Sequence, residues 1–243
     1  MVAVVAGVAS PAAGLLVVAV AAGVAAAVFG LLPVAERAAP SKPVERSSLL
    51  EGAVALWRAV PLRGSTVATT VSFVGAAGVL PVAVALFAGQ LGHPPSAGAV
   101  FLSVFAVGAL VASVALSARP LRRAHARRTV YLSVLATGVL LAAAAASPSY
   151  AVALVLFAAA GIADTPMLTA TFMIRNEYTP AAVRTQVFTT AAGLKIGSSA
   201  VGSAIAGVLA APVGGAGLLL VAAGVQVLAL GVGLLSERLP ARR

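Results

Sequence analysis

The feature that most constrains this chain is the length of its uncharged stretches. No charged residue occurs in residues 1–35, 64–118, 129–163 or 196–236. A membrane-spanning helix needs about 20 mostly apolar residues, so the stretch 64–118 has room for two such helices and a turn. The chain is 61% hydrophobic and only 9% charged, whereas soluble domains carry about 25% charged residues. These values exclude a soluble enzyme and a disordered chain, and they predict an all-α membrane protein partnered mainly by the lipid bilayer.

Clusters of glycine, proline and serine at residues 89–96, 147–149 and 211–215 divide the apolar stretches and mark turns. The predicted transmembrane helices, seven in number, cover residues 14–34, 65–88, 97–117, 129–146, 150–174, 185–210 and 217–236. The predicted organisation is an apolar segment with one span (1–35), a cytoplasmic linker (36–64), a six-helix bundle (65–236) and a cytoplasmic tail (237–243). The linker contains a short amphipathic stretch, residues 48–58, which we expect to lie at the membrane interface with Trp57 as its anchor.

The first ten residues are apolar but too short to span a membrane, and they carry none of the positive charge that opens a signal peptide. We therefore expect either that the chain is incomplete at its N-terminus or that it begins inside a larger architecture.

Basic residues are sorted to one side of this predicted topology. Of the 16 basic residues, all but Lys195 fall in segments 36–63, 119–128, 175–184 and 238–243. These segments are every second connection between the predicted spans, so they lie on the same side of the membrane. Because Lys and Arg accumulate in cytoplasmic loops, the C-terminus is predicted to be cytoplasmic in a cell membrane. The net charge of +10 is then explained by topology and anionic lipid headgroups. A nucleic-acid surface is the alternative, but it requires a soluble domain with interleaved aromatic residues, and aromatics make up only 5%.

The order of a lone span, a polar linker and six further spans resembles the last seven of the twelve helices of the major facilitator superfamily. The arginine-rich loop at residues 118–128 is similar to the family's loop between the eighth and ninth helices. The run at residues 177–188 is similar to its turn between the tenth and eleventh helices. The resemblance implies that residues 65–236 form one half-transporter bundle, with a second half-transporter as a further partner. It also implies a permease that moves a small-molecule substrate by alternating access.

Asp164 and Lys195 are the ionisable residues inside the predicted spans. Asp164 precedes Arg175 by eleven residues, and Lys195 follows Arg184 by eleven. On antiparallel helices that rise ~1.5 Å per residue, the two side chains are predicted at nearly the same depth. A charge at mid-membrane is costly and usually faces a cavity or a partner. The alternatives are a proton- or substrate-coupling pair and a static salt bridge between two helices.

Pro166 follows Asp164 closely and removes the hydrogen bond to the carbonyl of Ile162, so it is a candidate hinge. Thr165 and Thr169 are candidate substrate-contacting residues beside Asp164. The resemblance implies that spans 65–88 and 150–174 line a central cavity. Their hydroxyl residues are Thr66, Thr69, Thr70, Ser72, Thr165, Thr169 and Thr171. The alternative for each hydroxyl is a bond back to its own helix.

Small residues at four-residue spacing between Gly193 and Gly207 predict close helix packing. The chain has no cysteine, and it shows neither a metal-ligand spacing, nor a phosphate-binding glycine loop, nor a paired nucleophile and base. We therefore expect no metal, no cofactor and no enzymatic activity. The functional alternatives are a secondary active transporter, for which proton coupling is left open, and a non-transporting scaffold, accessory subunit or degenerate half-transporter.

Overall fold

The computed structural model describes residues 49–240 and, before them, four helical residues: Ala19, Val20, Gly23 and Ala27. The chain divides into two compact units, Met1–Arg46 and Ser47–Arg243. The four helical residues fall within the first predicted span. The rest of that predicted span lies outside the described residues. So do residues 1–13, residues 35–48 and the last three residues of the predicted tail, 241–243.

All regular elements in residues 49–240 are helical, so the all-α prediction is confirmed for this part of the chain. The α-helices are α1 (Leu49–Arg58), α2 (Val60–Phe73), α3 (Leu80–Gln90), α4 (Gly98–Ala118), α5 (Ala126–Ala145), α6 (Tyr150–Tyr178) and α7 (Arg184–Arg238). A π-helix, Val74–Val79, joins α2 to α3 without interruption. Within residues 49–240, five helical segments are long and apolar enough to cross a membrane: Val60–Gln90, Pro95–Ala118, Arg123–Ala145, Tyr150–Tyr178 and Ala181–Arg238.

Turn residues set most of the helix ends. Gly92 has φ of 78°, a left-handed conformation that glycine adopts without strain, and it ends α3 within the predicted turn 89–96. Ser149 caps α6, because its side-chain oxygen accepts a hydrogen bond from the Val152 amide at 3.3 Å. The cap satisfies one of the amides that a helix start leaves free, and it lies in the predicted turn 147–149.

The π-helix has a local cause in the sequence. Pro81 has no amide hydrogen to donate to the carbonyl of Ala77, one turn earlier. The amide of Leu80 bonds to Gly75, five residues back, which is the π-helical spacing. Two glycines in this segment allow close contact with α7: a Cβ on Gly78 would lie 2.6 Å from the Cα of Gly202.

α7 contains 55 residues but does not run straight. Gly214 inside it has φ of 65° and ψ of −172°. A straight helix would separate Gln186 from Glu237 by about 75 Å, yet these residues abut Gly52 and Gly64, only twelve positions apart in the chain. α7 therefore folds back at Gly214 into a first arm, residues 184–213, and a second arm, residues 215–238. The break falls within the predicted turn 211–215.

Two contacts fix this reversal against α3. The Gln90 side chain accepts a hydrogen bond from the amide of Ala216 at 2.7 Å, which satisfies a backbone group freed at the break. Gly215 packs directly on the backbone of Phe87, where a Cβ would overlap the amide nitrogen. Glycine at position 215 is therefore required by the close approach of two backbones.

The last part of the predicted linker belongs to the second unit. α1 packs on the first arm of α7, where Gly52 meets the backbone of Gln186 and Leu56 is buried. Trp57 is half-exposed, as an interfacial anchor requires. α2 begins at Val60, five residues before the predicted span.

The core of the second unit has two apolar clusters. One is aromatic-rich, with Phe101 at its centre: its ring lies 5.7 Å from that of Phe87 and 4.8 Å from that of Phe157. The other surrounds Val130, Met167 and their neighbours. Between α4 and α6, Gly108 meets the carbonyl of Ala158 and Gly161 meets the carbonyl of Phe105. We call this contact at Gly108 and Gly161 the glycine seam.

Large apolar side chains cover the outside of these helices. Val155, Ile196 and Val208 are each about 70% exposed or more. A soluble monomer rarely exposes apolar surface on this scale, whereas lipid-facing helices do so as a rule. The exposure supports the conclusion that the apolar helices are embedded in a membrane.

Candidate functional site

A stacked pair of phenylalanines sets the register between α6 and the first arm of α7. The rings of Phe172 and Phe188 are parallel, with centroids 5.8 Å apart. Asp164 lies eight residues before Phe172, and Lys195 lies seven residues after Phe188. α6 runs towards the turn that joins the two helices and α7 runs away from it. Moving back from Phe172 along α6 and forward from Phe188 along α7 therefore leads in the same direction, away from the turn. Asp164 and Lys195 are therefore at nearly the same level, about 11 Å from the stacked rings.

Lys195 is buried, with 7% of its surface exposed. Its Nζ lies 4.6 Å from the centre of the Phe73 ring on α2, a cation–π contact that offsets part of the cost of burial. Lys195 interacts electrostatically with Asp164, but the two side chains form no ion pair within 4.0 Å. The ion pair found within residues 49–240 joins Arg127 to Glu237. The structure therefore shows no direct salt bridge between Asp164 and Lys195.

Asp164 lacks a partner for one of its carboxylate oxygens: Oδ1 is buried and accepts no hydrogen bond. Nearly all buried polar atoms in proteins are hydrogen-bonded, and an exception calls for an explanation.

Pro166 lies inside α6, which continues as one helix from Tyr150 to Tyr178. Its role as a hinge stays a prediction.

Thr165 and Thr169 do not share the unpartnered state of Asp164. The Thr165 hydroxyl donates towards the carbonyls of Gly161 at 3.0 Å and Ala109 at 3.2 Å, so it ties α6 to α4 beside the glycine seam. The Thr169 hydroxyl donates to the carbonyl of Thr165 at 3.5 Å. Both hydroxyls are occupied by backbone bonds, and a contact with substrate stays a prediction for each.

The other hydroxyls fall into two groups. Thr69 and Thr171 bond back to their own helices at 2.8 and 2.7 Å. Ser72 donates to the side-chain oxygen of Gln226 at 2.7 Å. Thr66 and Thr70, in contrast, have buried hydroxyl oxygens without any hydrogen-bond partner. Thr66, Thr70 and Phe73 follow one another at helical spacing, so they share one face of α2, the face that meets Lys195 through Phe73.

Arg175 also lies near Lys195, and sequence reasoning missed it because the residue was assigned to a basic loop. It is only 3% exposed, and its Nε and Nη2 have no hydrogen-bond partner. Its guanidinium carbon lies 5.8 Å from the centre of the Phe188 ring, and it interacts electrostatically with Lys195. The signal was its spacing from Asp164: eleven residues are about three helical turns, which puts both on one face of α6.

We call this group the polar seam. It comprises Thr66, Thr70 and Phe73 of α2, Asp164 and Arg175 of α6, and Phe188 and Lys195 of α7. Arg175 and Lys195 are buried and Asp164 is partly buried. Oδ1 of Asp164 and two nitrogens of Arg175 have no hydrogen-bond partner, and an aromatic ring lies against each of the two bases. Such an arrangement can receive a small polar molecule, because the ligand supplies the missing hydrogen bonds.

A second polar group, also missed from sequence, lies where α2, α5 and the end of α7 meet. Glu237 accepts a hydrogen bond from the Tyr131 hydroxyl at 2.7 Å and pairs with Arg127. Arg63 is buried and donates to the carbonyl of Leu239 at 2.6 Å. We call these five residues the clasp. Arg127 and Glu237 neutralise each other, and Arg63 is held by backbone carbonyls although its Nε has no partner, so we interpret the clasp as structural.

Metal binding finds no support in the part of the chain that the structure describes, where no three His, Asp or Glu side chains come together. No protein-family model matches the chain, and neither a curated protein nor a solved structure matches it.

Proposed function

We propose that this protein is a secondary active transporter that moves a small molecule across a membrane by alternating access. The observation that carries the proposal is the polar seam. Asp164, Arg175 and Lys195 are ionisable side chains within apolar helices, and none is neutralised by direct pairing with another. Such groups are expensive in a membrane and usually line a substrate or ion pathway.

The arrangement of helices agrees with this proposal. With α7 counted as two arms, the second unit has six apolar helical segments, the number in one half of a major facilitator superfamily transporter. In that architecture substrate sites lie near the midplane between two halves that rock against each other. The second half would be supplied by a second half-transporter, for which another copy of this chain in the same membrane is the candidate. Asp164 is the candidate coupling residue and Lys195 its electrostatic partner.

The first test is proton-coupled flux into liposomes that contain the protein. A pH-sensitive dye inside the liposomes reports proton movement when panels of organic acids, amines, amino acids and sugars are added. We expect at least one class to drive a flux that Asp164→Asn abolishes, because the amide cannot carry the proton. Glu177→Gln is the matched control, since Glu177 is an exposed carboxylate on the same helix. Equal flux in wild type and Asp164→Asn, or no flux with any compound, would refute the coupling role.

Sidedness has a separate test, because the proposal places the basic loops in the cytoplasm. The chain has no cysteine, so single cysteines report cleanly. Ser96→Cys, in an exposed turn, and Arg123→Cys, in the basic loop, should react with an impermeant maleimide from opposite sides of the membrane. Labelling of both from one side would refute the proposed topology.

The second candidate function is that of a scaffold or accessory subunit. One observation favours it: Gly193, Gly197 and Gly207, on the first arm of α7, are exposed, and no atom of the described residues approaches the place of a Cβ. Exposed small residues allow another helix to approach closely. A protein that inserts, binds a partner through this face and shows no flux in the liposome assay would be a scaffold.

A further inference from the structure

The polar seam has an excess of positive charge that points to the chemistry of its ligand. The charged side chains of the seam are one partly buried acid, Asp164, and two buried bases, Arg175 and Lys195. Glu177 and Arg184, the nearest charged residues along the chain on α6 and α7, are exposed. Arg63 on α2 is engaged in the clasp. Within the described residues, the seam therefore lacks one negative charge for neutrality.

The unpaired atoms of the seam are also mostly hydrogen-bond donors. Arg175 presents Nε and Nη2, and Thr66 and Thr70 present hydroxyls, all without a partner. The Lys195 ammonium lies 4.6 Å from the centre of the Phe73 ring. Arginine nitrogens, hydroxyls and a lysine ammonium are groups that bind carboxylate oxygens. A buried cation left without a counter-charge is strongly destabilising, so a bound anion would recover stability here.

The levels of these groups along the helices leave about 11 Å between the ring against which Arg175 lies and the Cα of Lys195, a span that the long side chains of both bases can narrow. Lys195 is level with Phe73, and Arg175 lies over Phe188, seven residues earlier in α7. Thr66 and Thr70 precede Phe73 on α2, so they lie between the levels of the two bases. The rings of Phe73, Phe172 and Phe188 line the same span, and they offer apolar contact to the body of a ligand rather than further charge.

We infer that the polar seam binds a small organic anion, with its carboxylate held between Arg175 and Lys195, its oxygens accepting from Thr66 and Thr70, and its apolar body against the phenylalanine rings. This inference rests on the proposed function for its role, since the anion would be the transported substrate. Asp164, at the outer boundary of the seam, would repel the carboxylate and keep it on the Arg175 side.

The test is binding to the purified full chain in lipid nanodiscs, with three probes of one shape and different charge: benzoate, benzamide and benzylammonium, at equal ionic strength. We expect benzoate alone to raise the Tm. Loss of either cation removes a charge-assisted bond, so Arg175→Gln and Lys195→Gln should each weaken benzoate binding about tenfold or more. Arg122→Gln, an exposed arginine in the basic loop, is the matched control and should bind as wild type does.

Further variants separate binding from folding. Arg175→Lys and Lys195→Arg retain the charges and should recover most of the benzoate effect if the Gln variants are properly folded, as judged by size-exclusion chromatography. Equal stabilisation by all three probes, no stabilisation by benzoate, or benzoate binding that survives both Gln substitutions would overturn the inference. Stabilisation by inorganic phosphate but not by benzoate would overturn the organic-anion assignment.

The binding and flux experiments can each refute one proposal without refuting the other. Asp164-dependent flux driven only by amines or sugars would leave the transporter proposal standing and refute the anion. Arg175-dependent benzoate binding without flux of any compound would establish the anion site and refute transport.

Discussion

The glycine seam and the polar seam both join α6 to a neighbouring helix, but they are built in opposite ways. In the glycine seam, Gly108 and Gly161 bring backbones into contact, and the Thr165 hydroxyl is satisfied by a carbonyl on each helix. In the polar seam, Asp164 and Arg175 keep unpaired atoms beside bulky rings. α6 is closed by packing at Gly161 and Thr165, whereas Asp164, three residues after Gly161 and on the adjacent stripe of the helix, is left chemically unsatisfied. Unsatisfied groups, rather than polar groups as such, therefore distinguish the polar seam from the packing contacts of this helix.

The largest loss of unfolding free energy is expected from a substitution in the glycine seam. Gly161→Ala places a Cβ on the carbonyl of Phe105, so α4 and α6 must separate, and overpacking of this kind costs about 1–3 kcal/mol of unfolding free energy. Gly197→Ala is the control, because nothing in the described residues lies within 4 Å of its Cβ position; removing a helical glycine there should stabilise by up to about 1 kcal/mol. Unfolding in detergent measures both. Equal effects would show that the seam is not tightly packed.

A second prediction contrasts a satisfied buried polar pair with the unsatisfied seam. Ser72→Ala removes the donor to Gln226 and leaves its buried side-chain oxygen unpaired, which costs about 1–3 kcal/mol. Asp164→Asn removes no hydrogen bond at Oδ1, so its unfolding free energy should fall by less, although flux is lost. The same unfolding assay gives the stability values. A larger loss for Asp164→Asn would assign Asp164 a structural role.

The smallest effect is expected in the clasp. Arg127 pairs with Glu237, but its side chain is 60% exposed, and ion pairs with exposed members contribute about 0–1 kcal/mol. Arg127→Gln should therefore lower the Tm only slightly, and added salt should reduce the difference from wild type. A large loss that is insensitive to salt would show that the clasp holds α2, α5 and the end of α7 together.

The sequence predicted several features because they depend only on local backbone geometry or on the spacing of residues along one helix. The turns at residues 89–96, 147–149 and 211–215 fall where the structure ends or breaks a helix, since Gly92, Ser149 and Gly214 act through their own backbone geometry. The level of Asp164 with Lys195 was computed from helical rise alone. Spacing did not tell how far apart the side chains would be, and the direct salt bridge that was one alternative is not formed.

Hydropathy and helix length are summed along the chain, so the amino-acid sequence was enough to predict helices that are apolar enough for a membrane. Which polar groups remain unsatisfied depends instead on how the helices pack. Arg175 looked like a loop arginine and Thr66 looked like Thr69, yet packing buries Arg175 without hydrogen-bond partners for two of its nitrogens and gives Thr69 a bond that Thr66 lacks. Hydrogen-bond satisfaction depends on the neighbours that other helices supply, and that information is not contained in the spacing of residues along one helix.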